Sequence, residues 1–114
     1  AVNFNEADLL ACFLNDYGYE NWAQKELSFY GDKGDLMICI SSSGGSLKNI
    51  INAANFAKKL ALKWLLQQVL IKKNKASNIG HINLRLNSKN YNLVEITHHI
   101  WLLSIVDFIA KSKF

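Results

Sequence analysis

The residues best suited to chemistry begin where an apolar run breaks into hydroxyls, in Leu36-Met-Ile-Cys-Ile-Ser-Ser-Ser-Gly-Gly-Ser46. A helical pattern follows, so the stretch reads as strand, polar loop and helix. The start of a helix offers free backbone N–H groups and the positive end of the macrodipole, a setting that favours an anion. Ser41, Ser42, Ser43 and Ser46 can aim hydroxyl donors at it, and Gly44 and Gly45 carry no Cβ to hold the backbone away. Phosphate is the natural ligand for such a loop; the plain alternative is a serine-rich turn with Ser46 as helix N-cap. No lysine follows the glycines as a P-loop requires, so a nucleoside triphosphate site is not indicated.

A second group lies far along the chain. Glu95, His98 and His99 stand three and four residues apart, which brings them together across one turn of a helix. A neutral imidazole there could act as a base or ligate a metal near neutral pH. The competing reading is a solvated pair on a helix surface. His81 precedes a strand pattern without a nameable partner, and a structural role is its default.

These groups need elements to position them. Ala1 to Phe4 has the character of the end of a strand. Leu9, Leu10, Phe13 and Leu14 then recur at helical spacing to about Asn15, with Asn5 as cap and Gly18 as stop. A second helix is predicted from Glu20 to Tyr30, and Gly31-Asp-Lys-Gly34 is the turn into the apolar strand Leu36 to Ile40. After the serine loop, Leu47, Ile50, Ile51, Ala54, Phe56 and Ala57 define a helix ending near Lys58 and Lys59. Leu60 to Lys73 has no glycine and reads as more helix. Ile82, Leu84 and Leu86 alternate with polar residues as a half-buried edge strand, and Asn90 to Lys111 closes as a long apolar helix. Cys12 and Cys39 fall in apolar surroundings, which predicts buried free thiols in a reducing compartment.

The run from Gly34 to Asn49 resembles the signature of sugar isomerase (SIS) domains, in particular the phosphoheptose isomerase branch, whose loop typically reads S-T-S-G-N-S-x-x-N. Asn15-Asp-Tyr-Gly-Tyr-Glu20 is similar to a motif that the same branch carries at the same distance before the loop. The resemblance implies a three-layer α/β/α sandwich around a central parallel sheet, with Leu36 to Ile40 central and helices on both faces. It further implies a sugar phosphate whose phosphate is gripped by Ser41, Ser42, Ser43 and Ser46 and whose sugar touches Asn15 and Asp16. The expected activity is aldose–ketose isomerisation in heptose and cell-surface carbohydrate metabolism, in a cytoplasmic homotetramer. A phosphosugar-binding regulatory or scaffolding protein is the alternative.

The chain departs from that pattern in two places. The family's metal, zinc, and its proton-transfer groups draw partly on a Gln and a His on the last helix, and the matching positions hold Val94 and Leu102. The resemblance keeps zinc open as a cofactor although neither of these positions can ligate it, and Glu95, His98 and His99 are the groups left for catalysis. The second departure is Leu60 to Lys73, where the family has a strand reading Gly-x-Lys-Val. One set of codons for Ala61 to Lys72, read one base out of step, spells Ile-Lys-Val-Val-Thr-Ser-Thr-Gly-Phe-Asn-Lys. Two compensating frame changes would explain the segment, and resequencing the coding DNA decides it. The resemblance also places a helix, a strand and a Gly-rich loop before Ala1, so 1–114 reads as a partial domain.

At 114 residues, half of them apolar, the chain is one domain at most and can bury a reasonable core. Its formal charge of +4 comes from scattered lysines, densest at Lys72, Lys73 and Lys75, without an aromatic-basic motif. Nucleic acid is therefore not an expected partner. No uninterrupted apolar run is long enough for a membrane span, and the first residues do not read as a signal peptide.

Overall fold

The computed structural model describes residues 2–42, 48–69 and 80–113. The elements in chain order are α1 (Ala7–Tyr17), α2 (Trp22–Tyr30), β1 (Leu36–Ser41), α3 (Lys48–Lys59), β2 (Lys63–Val69), β3 (Ile82–Leu86) and α4 (Tyr91–Lys113). The strands form one parallel sheet in the order β1-β2-β3. Leu36 to Ser41 pair with Lys63 to Gln68, and Leu65 to Val69 pair with Ile82 to Leu86.

β1 alternates as a strand covered on one side must. Met37, Cys39 and Ser41 are half-buried or buried, whereas Leu36, Ile38 and Ile40 are exposed. Met37 packs onto Leu27 of α2, Ala57 of α3 and Leu62, the core on which Phe4, Phe56 and Leu60 also rest. Small residues on α3 allow this, since Ala53, Ala54 and Ala57 are all buried and let the helix sit close. α1 joins α2 through rings: Phe13 lies 5.7 Å from Tyr17 and 5.7 Å from Phe29, centroid to centroid.

Most helix ends follow the sequence. Gly18 closes α1 at φ 76°, donating to the Leu14 carbonyl. Gly31 closes α2 because nothing larger fits: a Cβ there would meet the Leu27 carbonyl oxygen at 2.8 Å. Asn90 caps α4, its Oδ1 accepting from Leu93 N–H at 3.1 Å. Asn5, in contrast, is not the cap of α1. That position is Glu6, whose side chain makes no capping bond, while Asn5 donates its own N–H to Asn3 Oδ1.

The largest departure is β2, a strand where the sequence reads as helix. α3 ends in a paired turn in which Leu62 N–H reaches the Ala57 carbonyl at 3.0 Å and Ala61 N–H the Lys58 carbonyl at 3.1 Å. This is a Schellman motif. Its left-handed residue is normally glycine, but here it is Ala61, at φ 55°. Leu62, only 2% exposed, is driven into the core beside Ala57, and that burial ends the helix in place of the missing glycine.

β1 also differs from expectation in lying at an edge of the sheet and not at its centre. β2 is the middle strand, because it pairs on both sides. The segment Val2–Asn5 does not extend beside β1; it folds into a turn, and Phe4 packs against Tyr30 and the Leu27 core. Among the described residues, no strand lies along the other edge of β1. The thiols need correction as well. Both cysteines are free, but Cys12 is exposed on α1, since the core stripe of that helix passes through Phe13.

α4 buries a narrow stripe and leaves a broad one open. Val94 and His98 are buried, with Trp101, Leu102 and Ile105 half-buried on the same side. Leu93, Ile96, Ile100, Leu103, Val106, Phe108 and Ile109 face outward. Tyr91–Ser112, 22 residues whose most apolar 18-residue window has a mean hydropathy of 1.5, is long and apolar enough by those measures to cross a membrane. A search for an unbroken apolar run passes it over because Glu95, His98, His99 and Asp107 interrupt it.

Candidate functional site

β1 delivers Ser41 and Ser42 to the C-terminal end of the sheet, where ligands sit in open α/β folds. Ser41 is buried and engaged, and Ser42 is half-buried, its Oγ 3.3 Å from the Tyr91 hydroxyl. That contact joins the start of the serine loop to the first residue of α4, 49 positions away. Ser43, Ser46, Gly44, Gly45 and Leu47 lie outside the described residues, as do Lys72, Lys73 and Lys75.

Beside Ser42 is a cavity of about 260 Å³ lined by Ile40, Ser42, Glu95, His98, His99 and Leu102. The three α4 residues singled out by spacing thus share a wall with the start of the loop. Their environments differ. Glu95 and His99 are exposed, whereas His98 is 3% exposed, and its Nε2 has no hydrogen-bond partner among the described residues. Burial pushes the His98 imidazole below its ordinary value, with the negative charge of Glu95 opposing the shift. The result is a neutral imidazole in a water-poor wall, with a carboxylate one turn away.

Asn15 and Asp16 stand apart from this cavity. Both are exposed on the last turns of α1, Asn15 Nδ2 donating to Asp16 Oδ1 at 3.2 Å, and neither lines the cavity. The chain just after them is tied toward the loop. Lys48, the first residue of α3, pairs with Glu20 at 2.6 Å, and Asn52 Nδ2 donates to the Glu20 carbonyl at 2.9 Å. Tyr91, Glu20 and Lys48 are positioning residues that sequence reasoning missed. Their only signal was proximity to a cap or to a motif.

A larger cleft of about 690 Å³ follows the free edge of β1, bordered by Phe4, Trp22, Leu27, Met37, Ile50 and Leu62 among others. Among its described lining residues there is no acid–base pair. Burial pushes the Cys39 thiol on this cleft up to about 11, which makes it unreactive near neutral pH. Among the described residues no group of three or more His, Cys, Asp or Glu could hold an ion, and the two positions where the resemblance puts ligands hold the apolar Val94, which is buried, and Leu102, which lines the cavity.

Comparison with known proteins bears on the fold. The fold is found in a phosphoheptose isomerase from Francisella tularensis, with a TM-score of 0.82 and 22% identity over 92% of this chain and 56% of that one. Phosphoheptose isomerase from Neisseria gonorrhoeae gives 0.83 at 20% identity, over 94% and 59%. The chain is similar to phosphoheptose isomerases and has their fold. In sequence, phosphoheptose isomerase from Glaesserella parasuis is 40% identical over 63 residues, 55% of this chain and 32% of the relative. That from Leptospira biflexa is 46% identical over 66 residues, 58% and 33%. The aligned part thus spans about a third of the length of these curated relatives. No protein-family model matches the chain.

Proposed function

We propose that this chain is the phosphate-binding part of a phosphoheptose isomerase-type protein that interconverts aldose and ketose forms of a sugar phosphate. One observation carries the reading: Ser42, at the end of β1, shares a cavity with Glu95, His98 and His99 of α4. A phosphate held by the serine loop would sit within a sugar's length of a buried neutral base. Isomerisation needs a base for the proton beside the carbonyl, and that cavity contains one.

Within this reading the serine hydroxyls and the N–H groups at the start of α3 hold the phosphate, and Asn15 and Asp16 contact the sugar. The full architecture is a three-layer α/β/α sandwich, for which α2 and α3 supply one layer and α4 the other. Support comes from Met37 and Ile40, three positions apart in β1 and so on opposite faces: one packs on α2 and α3, and the other lines the α4 cavity. The open apolar face of α4 fits burial in a cytoplasmic homo-oligomer, most simply the tetramer. A metal is no part of the reading for these residues.

Calorimetric titration with sedoheptulose 7-phosphate and other sugar phosphates tests it. Ser43→Ala removes one charge-assisted donor and should weaken binding by about 1–3 kcal/mol, the range for hydrogen bonds to charged groups, with little change in stability. Absence of binding by the parent, or equal binding by the variant, reduces the serine loop to a turn.

A further inference from the structure

Two hydroxyls from distant parts of the chain meet just past the end of β1, where Ser42 Oγ and the Tyr91 phenol oxygen stand 3.3 Å apart. We propose that Tyr91 is a positioning residue of the anion site, its phenol donating to Ser42 Oγ so that the serine proton is aimed at the phosphate. The inference rests on the phosphosugar reading above and deepens it, naming a group outside the serine loop that sets the donor direction of Ser42.

Packing does not account for the contact. Tyr91 is 61% exposed, so its ring gains little from burial, and holding that ring in one place costs side-chain freedom. Its backbone, in contrast, is fixed. Asn90 caps α4 through Leu93 N–H, Asn90 N–H donates to Ser88 Oγ at 3.1 Å, and Val94, within the first turns of the helix, is 2% exposed. The phenol therefore reaches from an anchored helix start to a serine that lines the α4 cavity.

Hydrogen-bond capacity gives the direction. A phosphate oxygen without a proton only accepts, whereas a serine hydroxyl has one proton to donate and two lone pairs. If Ser42 gives that proton to Tyr91, it has none for the anion. A phenol is the more acidic of the two hydroxyls and the better donor. With an anion beside Ser42 the favoured chain runs from Tyr91 to Ser42 to phosphate, each bond polarising the next. The 3.3 Å separation is longer than the roughly 2.5–3.0 Å of a settled O–H···O bond, so neither hydroxyl is locked in the opposite direction.

A double-mutant cycle on the full chain tests this, by calorimetric titration with sedoheptulose 7-phosphate and, separately, with inorganic phosphate. Tyr91→Phe removes the phenol oxygen and keeps the ring, and at a site this exposed the urea midpoint should not move. It should weaken both ligands alike, by about 3- to 10-fold, the equivalent of one ordinary hydrogen bond. Ser42→Ala should weaken both by at least as much, and adding Tyr91→Phe to Ser42→Ala should change nothing further, since the phenol acts only through the serine. A loss confined to the sugar phosphate, or one that persists in full beside Ser42→Ala, overturns the positioning role, because the phenol then touches the ligand directly. Parent-like binding by Tyr91→Phe or by Ser42→Ala overturns it too, and a fall in the urea midpoint of Tyr91→Phe reduces the contact to one that holds the fold. A parent that binds neither ligand overturns the phosphosugar reading itself, and the inference falls with it.

Discussion

Replacing Ala61 by glycine separates the observed end of α3 from the helix that the sequence suggests. Ala61 has φ 55° in a Schellman turn, a conformation that costs a residue with a Cβ about 1–2 kcal/mol. Glycine removes that strain but loses more entropy on folding, about 0.5–1 kcal/mol. The difference predicts that Ala61→Gly stabilises the fold by roughly 0.5–1 kcal/mol. For a chain near this size that is a rise of about 2–8 °C in Tm, at roughly 4–8 °C per kcal/mol. A helix continuing through this position would give the opposite sign, since glycine in a helix interior costs about 1 kcal/mol relative to alanine. Ala61→Val sharpens the contrast, because a β-branched residue is a severe misfit at positive φ and should destabilise. Urea unfolding followed by circular dichroism at fixed pH measures all three proteins. A lower midpoint for Ala61→Gly than for the parent would refute the turn and, with it, the physical account of how β2 begins.

Glu26 offers a pH-dependent test. Its side chain is fully buried on α2 and neither carboxylate oxygen has a partner among the described residues, and burial raises its pKa above the ordinary 4.5. The folded protein therefore holds this proton to higher pH than the unfolded chain does. Its stabilising contribution is complete below the ordinary value and is lost as pH rises through the raised one. Glu26→Leu should consequently add about 1–3 kcal/mol near pH 8, with the gain shrinking toward pH 4, and parallel stability curves for parent and variant would contradict it. The open face of α4 makes a prediction about assembly: sedimentation at micromolar concentration should detect an oligomer, and a stable monomer would remove the tetramer from the proposed function.

Local chemistry in the sequence was enough for most of the elements. Gly18, Gly31 and Asn90 mark helix ends by what their backbones and side chains can do, and the run Leu36 to Ile40 was legible as a strand because it is short, apolar and followed by a polar break. The spacing of Glu95, His98 and His99 likewise fixed their common turn of α4 in advance. Three matters depended on contacts between distant segments. Within the helix-like Leu60 to Lys73, Lys63–Val69 is a strand because Leu62 gains more from burial against Ala57 and Leu27 than another helical turn would give it. Among the described strands β1 lies at an edge, with Phe4 packed on the aromatic and apolar surface of α2 and not extended beside it. The site itself was legible only as separate pieces. Spacing could propose three acid–base groups, but which of them is buried, and that they meet Ser42 from a distant part of the chain, follows from how α4 packs at the end of β1, because solvent exclusion belongs to the tertiary arrangement and to no single segment.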